Sequence, residues 1–340
     1  MALPATVVVL NWNGRDYLRD CLRSLFAQTY PDTKVLVVDN ASPDESWRIA
    51  ADEFPEAALL RMSENLHFAR GMNAGFARAL EDPQAAFIVA LNNDVRVDPE
   101  WLAGLIAAAD EPGVGMVASK ILFMDRPKVL NSTGLRPARD GGGIDRGWNE
   151  PDDGRYDSQT DVFGPSGGAA LYRRELLEKV GLYDGDFVAY AEDLDLAWRA
   201  RLRGWTARFA PHAVVYHKYS ASIGVRSAWK TYMGERNRIW TFIQNYPWRL
   251  VASGSAWNAA RLLASLKRDR GRGGDDGGPD PAGLGTMAEA TVRARLDAYA
   301  RLARALEKRA ERYATATVDA ATVGRWLRRY GASLRQMAGA

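Results

Sequence analysis

Short runs of consecutive apolar residues alternate with amphipathic stretches in the first third of the chain. Thr6–Leu10, Val35–Asp39 and Ala86–Leu91 are dominated by apolar residues in unbroken runs, a pattern typical of strands buried on both faces of a parallel sheet. Ser42-Pro43-Asp44-Glu45 and Asp98-Pro99-Glu100 each place a capping side chain before a proline at the first helical position, which predicts two helix starts. Strands that alternate with helices in this way predict a doubly wound, mostly parallel α/β sheet flanked by helices.

The middle of the chain has a less regular pattern. Residues 131–161 are rich in Gly, Asp and Pro and have no clear period, so we expect a long loop of the kind that forms a lid or is partly disordered. The sequence then predicts a strand at Gly167–Tyr172, a helix at Arg174–Val180, and a helix around Asp193–Leu202 that ends at Gly204.

A Gly- and Asp-rich stretch at 267–285 predicts a linker before a C-terminal helical extension. Beyond it, a capping box at Thr286–Glu289 opens a helix with a heptad-like apolar stripe. The stripe consists of Val292, Leu296, Tyr299, Ala303, Leu306, Ala310 and Tyr313. A last helix carries Val323, Leu327, Tyr330, Leu334 and Met337. We therefore expect a main domain at 1–250 and a helical extension at 251–340, packed on the main domain or on a second copy of the chain in a homodimer.

Composition is that of an ordinary globular protein, with 47% hydrophobic and 26% charged residues among 340. The single cysteine, Cys21, lies among leucines and is expected to be a small buried hydrophobe, and no intrachain disulfide can form. The best candidate for a membrane span, Trp240–Leu266, is interrupted by Arg249 and Arg261, so no spanning helix is expected. These features together predict a cytoplasmic protein.

Charge is unevenly distributed along the chain. The net charge is +3, but residues 261–340 carry +7 and residues 1–260 carry −4. A basic end on a mildly acidic body favours contact with an anionic surface, such as the inner face of the plasma membrane. The alternative is that these basic residues only solvate the helices. No nucleic-acid partner is expected.

Polar clusters follow the three predicted strands directly. They are Asn11-Trp12-Asn13-Gly14, Asp39-Asn40-Ala41-Ser42 and Asn92-Asn93-Asp94. The carboxyl ends of neighbouring parallel strands meet at one edge of the sheet, where α/β proteins bind their ligands. Because Ser42 and Asp98 already supply the predicted helix caps, Asp39 and Asp94 are available for another role.

Two common phosphate-binding motifs are missing from the sequence. No Gly-x-Gly-x-x-Gly follows the first strand and no Gly-x-x-x-x-Gly-Lys-Ser/Thr lies near a strand, which argues against a dinucleotide oxidoreductase and a P-loop NTPase. A diphosphate would then be neutralised by other means, and a divalent metal held by Asp94 is the simplest candidate.

Several segments taken in order resemble family-2 glycosyltransferases. They are Val7–Gly14, Val37–Ser42, Asn65–Gly75, Leu91–Asp94, Gly167–Leu171 and Tyr190-Ala191-Glu192-Asp193-Leu194-Asp195-Leu196-Ala197-Trp198-Arg199, followed by Gly204-Trp205 and His217. The order and spacing are similar to those of the bacterial rhamnosyltransferase-like branch that builds surface polysaccharides, over about residues 5–247. The resemblance implies a GT-A fold and an inverting transfer of a sugar, with rhamnose favoured, from a dTDP- or UDP-sugar to a glycan or polyprenyl-linked acceptor.

The resemblance also implies roles for individual residues. The nucleotide would be bound by Asn11, Asn13, Asp39, Asn40, Asn65, Asn73, Asn92 and Asn93. Asp94 and His217 would hold Mn²⁺ or Mg²⁺, with Asn92 standing where the family has the first carboxylate of its Asp-x-Asp motif. The alternative for His217 is a satisfied core histidine. Gly167, Gly168, Asp195 and Arg236 would lie near the donor sugar or the acceptor.

Asp193, with Glu192 beside it, would be the catalytic pair, and Asp193 the general base. An aspartate with a pKa near 3.9 is a weak base, so we expect repulsion from Glu192 and Asp195 to raise the pKa of Asp193. The alternative is that this acidic run only begins a helix, where acidic residues are favoured.

Aromatic residues cluster just after Arg236, between Ile239 and Trp248. This cluster would bind a lipid-linked acceptor at the membrane surface, and the stretch 229–266 would contact the membrane together with the C-terminal basic helices. The alternative is that these aromatic side chains only pack against the sheet.

Two other functions fit parts of the sequence. A sugar-phosphate nucleotidyltransferase has a related sheet, but Asn13-Gly14-Arg15-Asp16 is too poor in glycine for its triphosphate loop. A non-catalytic carbohydrate-binding relative would have the same fold, and the presence of Asp39, Asp94, Asp193 and His217 argues against it.

Overall fold

The computed structural model describes residues 3–219, 227–251, 253–254, 256–258, 260 and 281–339. These residues form two compact units. The first comprises Met1–Leu135 with Asp145–Ser222, and the second comprises Arg136–Ile144 with Ile223–Ala340.

A mixed β-sheet forms the centre of the first unit. Its strands are β1 (Ala5–Asn11), β2 (Thr33–Asp39), β3 (Ala58–Arg61), β4 (Phe87–Asn92), β5 (Val95–Val97), β6 (Val114–Phe123), β7 (Arg126–Ser132), β10 (Asp161–Val162), β11 (Ala169–Arg173) and β12 (Thr206–His217), and a separate pair is formed by β8 (Leu135–Pro137) and β9 (Gly143–Asp145). The order across the main sheet is β10-β12-β6-β11-β4-β1-β2-β3.

The register of the parallel strands brings the polar clusters together. In the parallel pairs β1–β2 and β1–β4, Asn11 lies opposite Asp39 and Leu10 opposite Asn92. This part of the sheet confirms the doubly wound α/β prediction. The whole sheet is mixed, because β11 runs antiparallel between β4 and β6.

Helices flank this sheet in the first unit. They are α1 (Leu18–Phe26), α2 (His67–Leu80), α3 (Trp101–Ala108), α4 (Arg174–Val180) and α5 (Glu192–Leu202), with a π-helical turn at Ile49–Glu53 and a 3-10 turn at Gly185–Phe187. The prediction of a helix that begins at Ser42 is wrong, because no α-helix starts there. The Ser42 hydroxyl does not cap a helix but accepts hydrogen bonds from the Asn11 side chain and from the amide of Asn13. The helix predicted after Asp98-Pro99-Glu100 is confirmed as α3, which begins at Trp101, although its cap position, Glu100, makes no side-chain capping bond.

The predicted long loop at 131–161 is wrong. This segment contains the end of β7 and all of β8 and β9, and Asn131, Ser132 and Thr133 are buried. Buried backbone needs hydrogen-bond partners, and the amide of Thr133 finds one in the carbonyl of Arg146. The glycines and aspartates that suggested disorder are therefore the turn residues of an ordered segment.

The second unit is helical. Its helices are α6 (Ala228–Asn245), α7 (Pro281–Ala300), α8 (Leu302–Ala314), α9 (Ala320–Arg329) and α10 (Leu334–Gly339). Both α7 and α8 pack against α6. This arrangement confirms the C-terminal helical extension, although α6 groups with the extension, so the compact unit begins before the expected boundary at residue 250.

The face of α7 that packs is not the predicted one. Val292 and Leu296 are 58% and 66% exposed, while Ala290, Ala294 and Ala298 are buried. The small alanines allow α7 to approach α6 closely, and Trp240 Nε1 donates to the carbonyl of Ala298 over 3.2 Å. The larger apolar residues are left on the outer side.

Most of the predicted linker at 267–285 lies outside the described residues. Its last five residues, 281–285, belong to α7, which therefore begins before the predicted start at Thr286. Among the helices that the structure describes, none is long and apolar enough to cross a membrane.

Close helix–sheet packing in the first unit depends on a glycine. Gly75 in α2 faces Val8 and Val38, and a Cβ atom there would lie 2.2 Å from Val8 Cγ1 and 2.8 Å from Val38 Cγ2. Both are shorter than any normal contact between carbon atoms.

We predict that Gly75→Ala lowers the free energy of unfolding by about 1–3 kcal/mol, because the extra methyl group overpacks the core. Denaturant unfolding followed by circular dichroism measures this. Gly104→Ala in α3 is the matched control, since its Cβ would meet Ala213 at an ordinary 3.4 Å. Equal effects of the two substitutions would contradict the packing described for α2.

Candidate active site

Asn11 joins the three polar clusters at the edge of the sheet. Its Nδ2 donates to Asp39 Oδ1 over 3.0 Å and to the hydroxyls of Ser42 and Ser46 over 3.2 and 2.8 Å. Its Oδ1 accepts from Asn93 Nδ2 over 2.8 Å. All five side chains are buried. Asn11 and Asn93 thus hold the strand ends in register around Asp39, and Asn13 lies beside them as an exposed residue.

Asn40 fixes the start of α2 against the end of β2. Its Nδ2 donates to Asn65 Oδ1 over 2.9 Å and to the carbonyl of His67 over 3.1 Å, and its Oδ1 accepts from the amide of Leu66. Both polar atoms of the Asn40 side chain are therefore bonded to residues 65–67 and hold the loop before α2 in place. Asn65, which remains partly exposed, is the better placed of the two for a ligand.

Asn73 lies on α2 and is partly exposed. Its Nδ2 donates to the carbonyl of Tyr183 over 2.8 Å and its Oδ1 accepts from the amide of Tyr183 over 3.0 Å. Both ends of the amide are thus bonded to the chain that leads into α5. The structure favours a positioning role for Asn73 over direct contact with a nucleotide.

Asp94 and His217 meet at the ends of β5 and β12. His217 lies opposite Val95 in the pairing of these strands, and its Nε2 is 3.2 Å from Asp94 Oδ1. Asn92 Nδ2 lies 3.5 Å from the same nitrogen. Burial opposes ionisation of Asp94, but the neighbouring His217 outweighs it, so that the pKa of Asp94 is lowered.

This pair fits a divalent metal. Two ligand atoms about 2.1 Å from one octahedral ion, at right angles, are about 3 Å apart, close to the observed 3.2 Å. One carboxylate and one imidazole suit Mn²⁺. Because no group of three or more His, Cys, Asp and Glu side chains arranged for a metal occurs in the described residues, a bound ion would take its other ligands from the substrate and water.

Glu192 and Asp193 begin α5 after an unusual turn. Val188, Tyr190 and Ala191 all have positive φ angles, of 67°, 67° and 64°. Such backbone is costly for residues other than glycine and is concentrated at functional sites. The turn directs the first residues of α5 toward Gly167, whose amide donates to Asp193 Oδ2 over 2.7 Å.

The two adjacent carboxyl groups have different surroundings. Burial raises the pKa of Asp193, but the amides of Gly167 and Leu194 both donate to its carboxylate and oppose this effect. Burial also raises the pKa of Glu192, well above its usual range, and the charge of Asp193 raises it further. Within the part of the chain that the structure describes, Glu192 Oε2 has no hydrogen-bond partner. Asp193 is therefore the group that ionises first, and Glu192 the one that retains its proton.

The expected cause of the raised pKa of Asp193 needs correction. Burial raises it, rather than repulsion by Glu192 and Asp195. Asp195 is fully buried, and its Oδ2 accepts from Arg199 Nε over 2.8 Å. The structure thus favours a structural role for Asp195 rather than contact with a sugar.

Gly167 and Gly168 lie between Asp193 and the side chains of Asn92 and His217. A Cβ at Gly167 would lie 3.3 Å from Asp193 Oδ2, whereas one at Gly168 would point between Asn92 and His217 with no atom closer than 3.6 Å. The absence of side chains keeps this space open. Asp94, His217 and Asp193 therefore surround one region of the first unit.

Two residues of the site were not found from the sequence. Asn131 Oδ1 lies 3.4 Å from His217 Nδ1. Burial raises the pKa of Asp145 to about 6. Hydrogen bonds from the hydroxyls of Ser132 and Ser166 partly oppose this increase. Asn131 follows the apolar end of β7, the same signal that marked the other clusters, but nothing in the sequence distinguishes Asp145 from its neighbouring aspartates.

Arg236 belongs to the second unit. It lies on α6, where its guanidinium stacks on Trp240 at 4.5 Å and donates to Asn237 Oδ1 over 2.9 and 3.0 Å. The aromatic residues that follow it are largely buried within this unit. A role for Arg236 in acceptor binding stays a prediction.

Comparison with known proteins identifies a family. The family model described as "Glycosyl transferase family 2" matches residues 6–181, just over half of the chain. The N-acetylglucosaminyl-diphospho-decaprenol L-rhamnosyltransferase of Mycobacterium tuberculosis is 27% identical over 237 residues, which are 64% of this chain and 77% of the relative. The O-antigen biosynthesis protein RfbC of Myxococcus xanthus is 26% identical over 228 residues, 64% of this chain but only 18% of RfbC.

Solved structures share the fold at low sequence identity. The mannosyltransferase PcManGT from Pyrobaculum calidifontis, in complex with GDP-Man and Mn²⁺, is 19% identical with a TM-score of 0.52, covering 98% of this chain and 86% of its own. GalNAc-T7 with UDP, GalNAc and Mn²⁺ is 15% identical with a TM-score of 0.58, covering 85% of this chain and 54% of its own.

We predict that Asp193→Asn lowers the pKa of Glu192, because a negative charge next to a buried carboxyl group is removed. Carbon-13 NMR titration of labelled glutamate side chains measures this shift. Glu178→Gln, a change at an exposed residue of α4, is the control and should leave Glu192 unaffected. If the pKa of Glu192 does not change in Asp193→Asn, the two carboxyl groups do not interact as described.

Proposed function

Because the chain belongs to glycosyl transferase family 2, we propose that it is an inverting, metal-dependent enzyme acting in cell-surface polysaccharide synthesis. It moves a sugar from a nucleoside diphosphate to a hydroxyl group of a glycan or a lipid-linked acceptor. The observation that carries the proposal is the difference between Asp193 and Glu192. Two backbone amides donate to the carboxylate of Asp193, whereas Oε2 of the buried Glu192 has no hydrogen-bond partner among the described residues.

Asp193 acts as the general base. An ionised carboxylate can take the proton of the acceptor hydroxyl while the oxygen of that hydroxyl attacks the anomeric carbon. The bond from that carbon to the nucleoside diphosphate breaks on the opposite side, so one displacement inverts the anomeric centre. Burial raises the pKa of Asp193 and makes it a stronger base than an exposed aspartate.

Asp94 and His217 would hold the divalent metal, with Asn92 beside them. When bound, the ion neutralises the charge that develops on the departing diphosphate. Asp39, buried at the sheet edge and fixed by Asn11, would bind the base or ribose of the nucleotide.

For the substrates, we propose a dTDP- or UDP-sugar as donor, with rhamnose favoured, and a polyprenyl-linked sugar as acceptor. The support is the likeness to the mycobacterial rhamnosyltransferase, whose name specifies a rhamnosyl group and a decaprenol-linked sugar. The exposed apolar residues of α7, such as Val292, Leu296 and Tyr299, would contact the membrane that holds such an acceptor. A homodimer contact through the same residues is the alternative.

We predict that Asp193→Asn reduces sugar transfer by about 10²–10⁴-fold, the usual loss when a general base is removed. Binding of dTDP or UDP with Mn²⁺ should be unchanged, because Asp193 contacts neither the metal pair nor the strand-end clusters in the bonds above. Radiolabelled sugar transfer and calorimetry measure the two quantities. Asp20→Asn, at a residue whose side chain is 71% exposed, is the matched control and should retain activity. Full transfer by Asp193→Asn would refute its role as base.

We predict that Asp94→Asn and His217→Ala each weaken Mn²⁺-dependent nucleotide binding by at least about tenfold, since even indirect partners of a metal contribute that much. Metal-independent binding should remain. Calorimetry with dTDP and UDP, with Mn²⁺ or with a chelator, separates the two. Mn²⁺ alone should bind weakly, because the protein offers few ligands. Unchanged metal dependence in both variants would contradict the assignment.

A further inference from the structure

Unpaired polar atoms surround the proposed reaction centre. Asn131 Nδ2, Asp145 Oδ1 and Glu192 Oε2 are among the buried side-chain atoms of the described residues that have no hydrogen-bond partner. Buried polar atoms are nearly always paired, so each exception calls for a partner that is absent from the protein itself. A cluster of such atoms in one region indicates that the partner is a polar ligand.

Asn131 and Asp145 come from one ordered segment. Asn131 lies near the end of β7 and Asp145 at the end of β9, and the amide of Thr133 donates to the carbonyl of Arg146 between them. Rigid neighbours hold both side chains. Asn131 Oδ1 lies against His217 Nδ1, and the hydroxyls of Ser132 and Ser166 interact with the carboxyl group of Asp145.

The position of this pair relates it to the reacting groups. Ser166 precedes Gly167, whose amide binds Asp193, so Asp145 lies next to the backbone that holds the base. Asn131 touches the metal-side histidine instead. Room also remains at Gly168, where an added Cβ would meet no atom closer than 3.6 Å and would lie next to the side chains of Asn92 and His217. A ligand in that space would lie between the base and the metal pair.

The two unpaired atoms have complementary chemistry. Asn131 Nδ2 is a hydrogen-bond donor, and an ionised Asp145 Oδ1 is an acceptor. A sugar hydroxyl both donates and accepts, so the two atoms together match one hydroxyl or two neighbouring ones. We propose that Asn131 and Asp145 bind a hydroxyl group of a reacting sugar, and that this contact helps to select which sugar reacts. The inference rests on the function proposed above.

Asp145→Asn tests the contact, because it keeps the shape of the side chain but replaces a carboxylate oxygen. If the hydroxyl belongs to the donor, binding of dTDP-rhamnose with Mn²⁺ should weaken by about tenfold to hundredfold, as expected for a lost hydrogen bond to a charged group. If it belongs to the acceptor, donor binding should be unchanged and the KM for a short-chain lipid diphosphate-linked N-acetylglucosamine should rise by a similar factor. Binding of dTDP alone should be unchanged in either case, which shows that the site is folded.

Deoxy analogues of dTDP-rhamnose and of the acceptor identify the hydroxyl. The analogue that lacks this hydroxyl should bind to the wild type more weakly than the complete sugar does. The same analogue should bind to Asp145→Ala as well as it binds to the wild type, because the substitution and the missing hydroxyl remove the same contact. Asp153→Asn, an exposed carboxylate of the same segment, is the control and should behave as the wild type.

Two results overturn the inference. The first is that a stably folded Asp145→Asn binds the donor and has an acceptor KM as the wild type does. The second is that, for every analogue, the loss of binding free energy from the missing hydroxyl simply adds to the loss from the substitution at Asp145. Failure of the proposed function looks different, because the wild type would then neither bind these nucleotide sugars nor transfer from them.

Discussion

The hydrogen bond from the amide of Gly167 to Asp193 Oδ2, 2.7 Å long, is the contact on which the candidate site depends. It connects the approach to β11 with the first turn of α5, and it opposes the increase that burial causes in the pKa of Asp193. The amide of Leu194 donates a second hydrogen bond to the same carboxylate, over 2.7 Å. In the proposed mechanism Asp193 is the base and Glu192 its neutral neighbour, and the unusual turn at 188–191 leads directly into the helix that both residues begin.

The rest of the site follows from strand register. Parallel pairing of β1 with β2 and β4 brings Asn11, Asp39 and Asn92 to one edge, and pairing of β12 with β5 brings His217 to Asp94. Asp94 and His217 are the only two metal ligands that we propose in the described residues, so the substrate would complete the coordination of a bound ion. Binding of metal and nucleotide would then be mutually dependent, each supplying contacts that the other lacks.

Residues at strand ends could be predicted because a strand that stops in polar residues leaves a simple pattern. Asp39, Asp94 and the buried Cys21 follow from that pattern and from local composition. The position of Asp145 at the site could not be predicted, because it results from burial next to Ser132 and Ser166, which are 13 or more residues away in sequence. The packing face of α7 was misjudged because hydrophobicity alone favours Leu296, whereas close approach to α6 favours small alanines such as Ala294.

The central claim is that a single ionised carboxylate, Asp193, removes the acceptor proton during one displacement at the anomeric carbon. The most direct measurement is the anomeric configuration of the product, obtained by proton NMR of the newly formed glycoside beside that of the donor. A product with the opposite configuration to the donor is the expected result. Retention of configuration would require a different chemical path and would contradict the role given to Asp193.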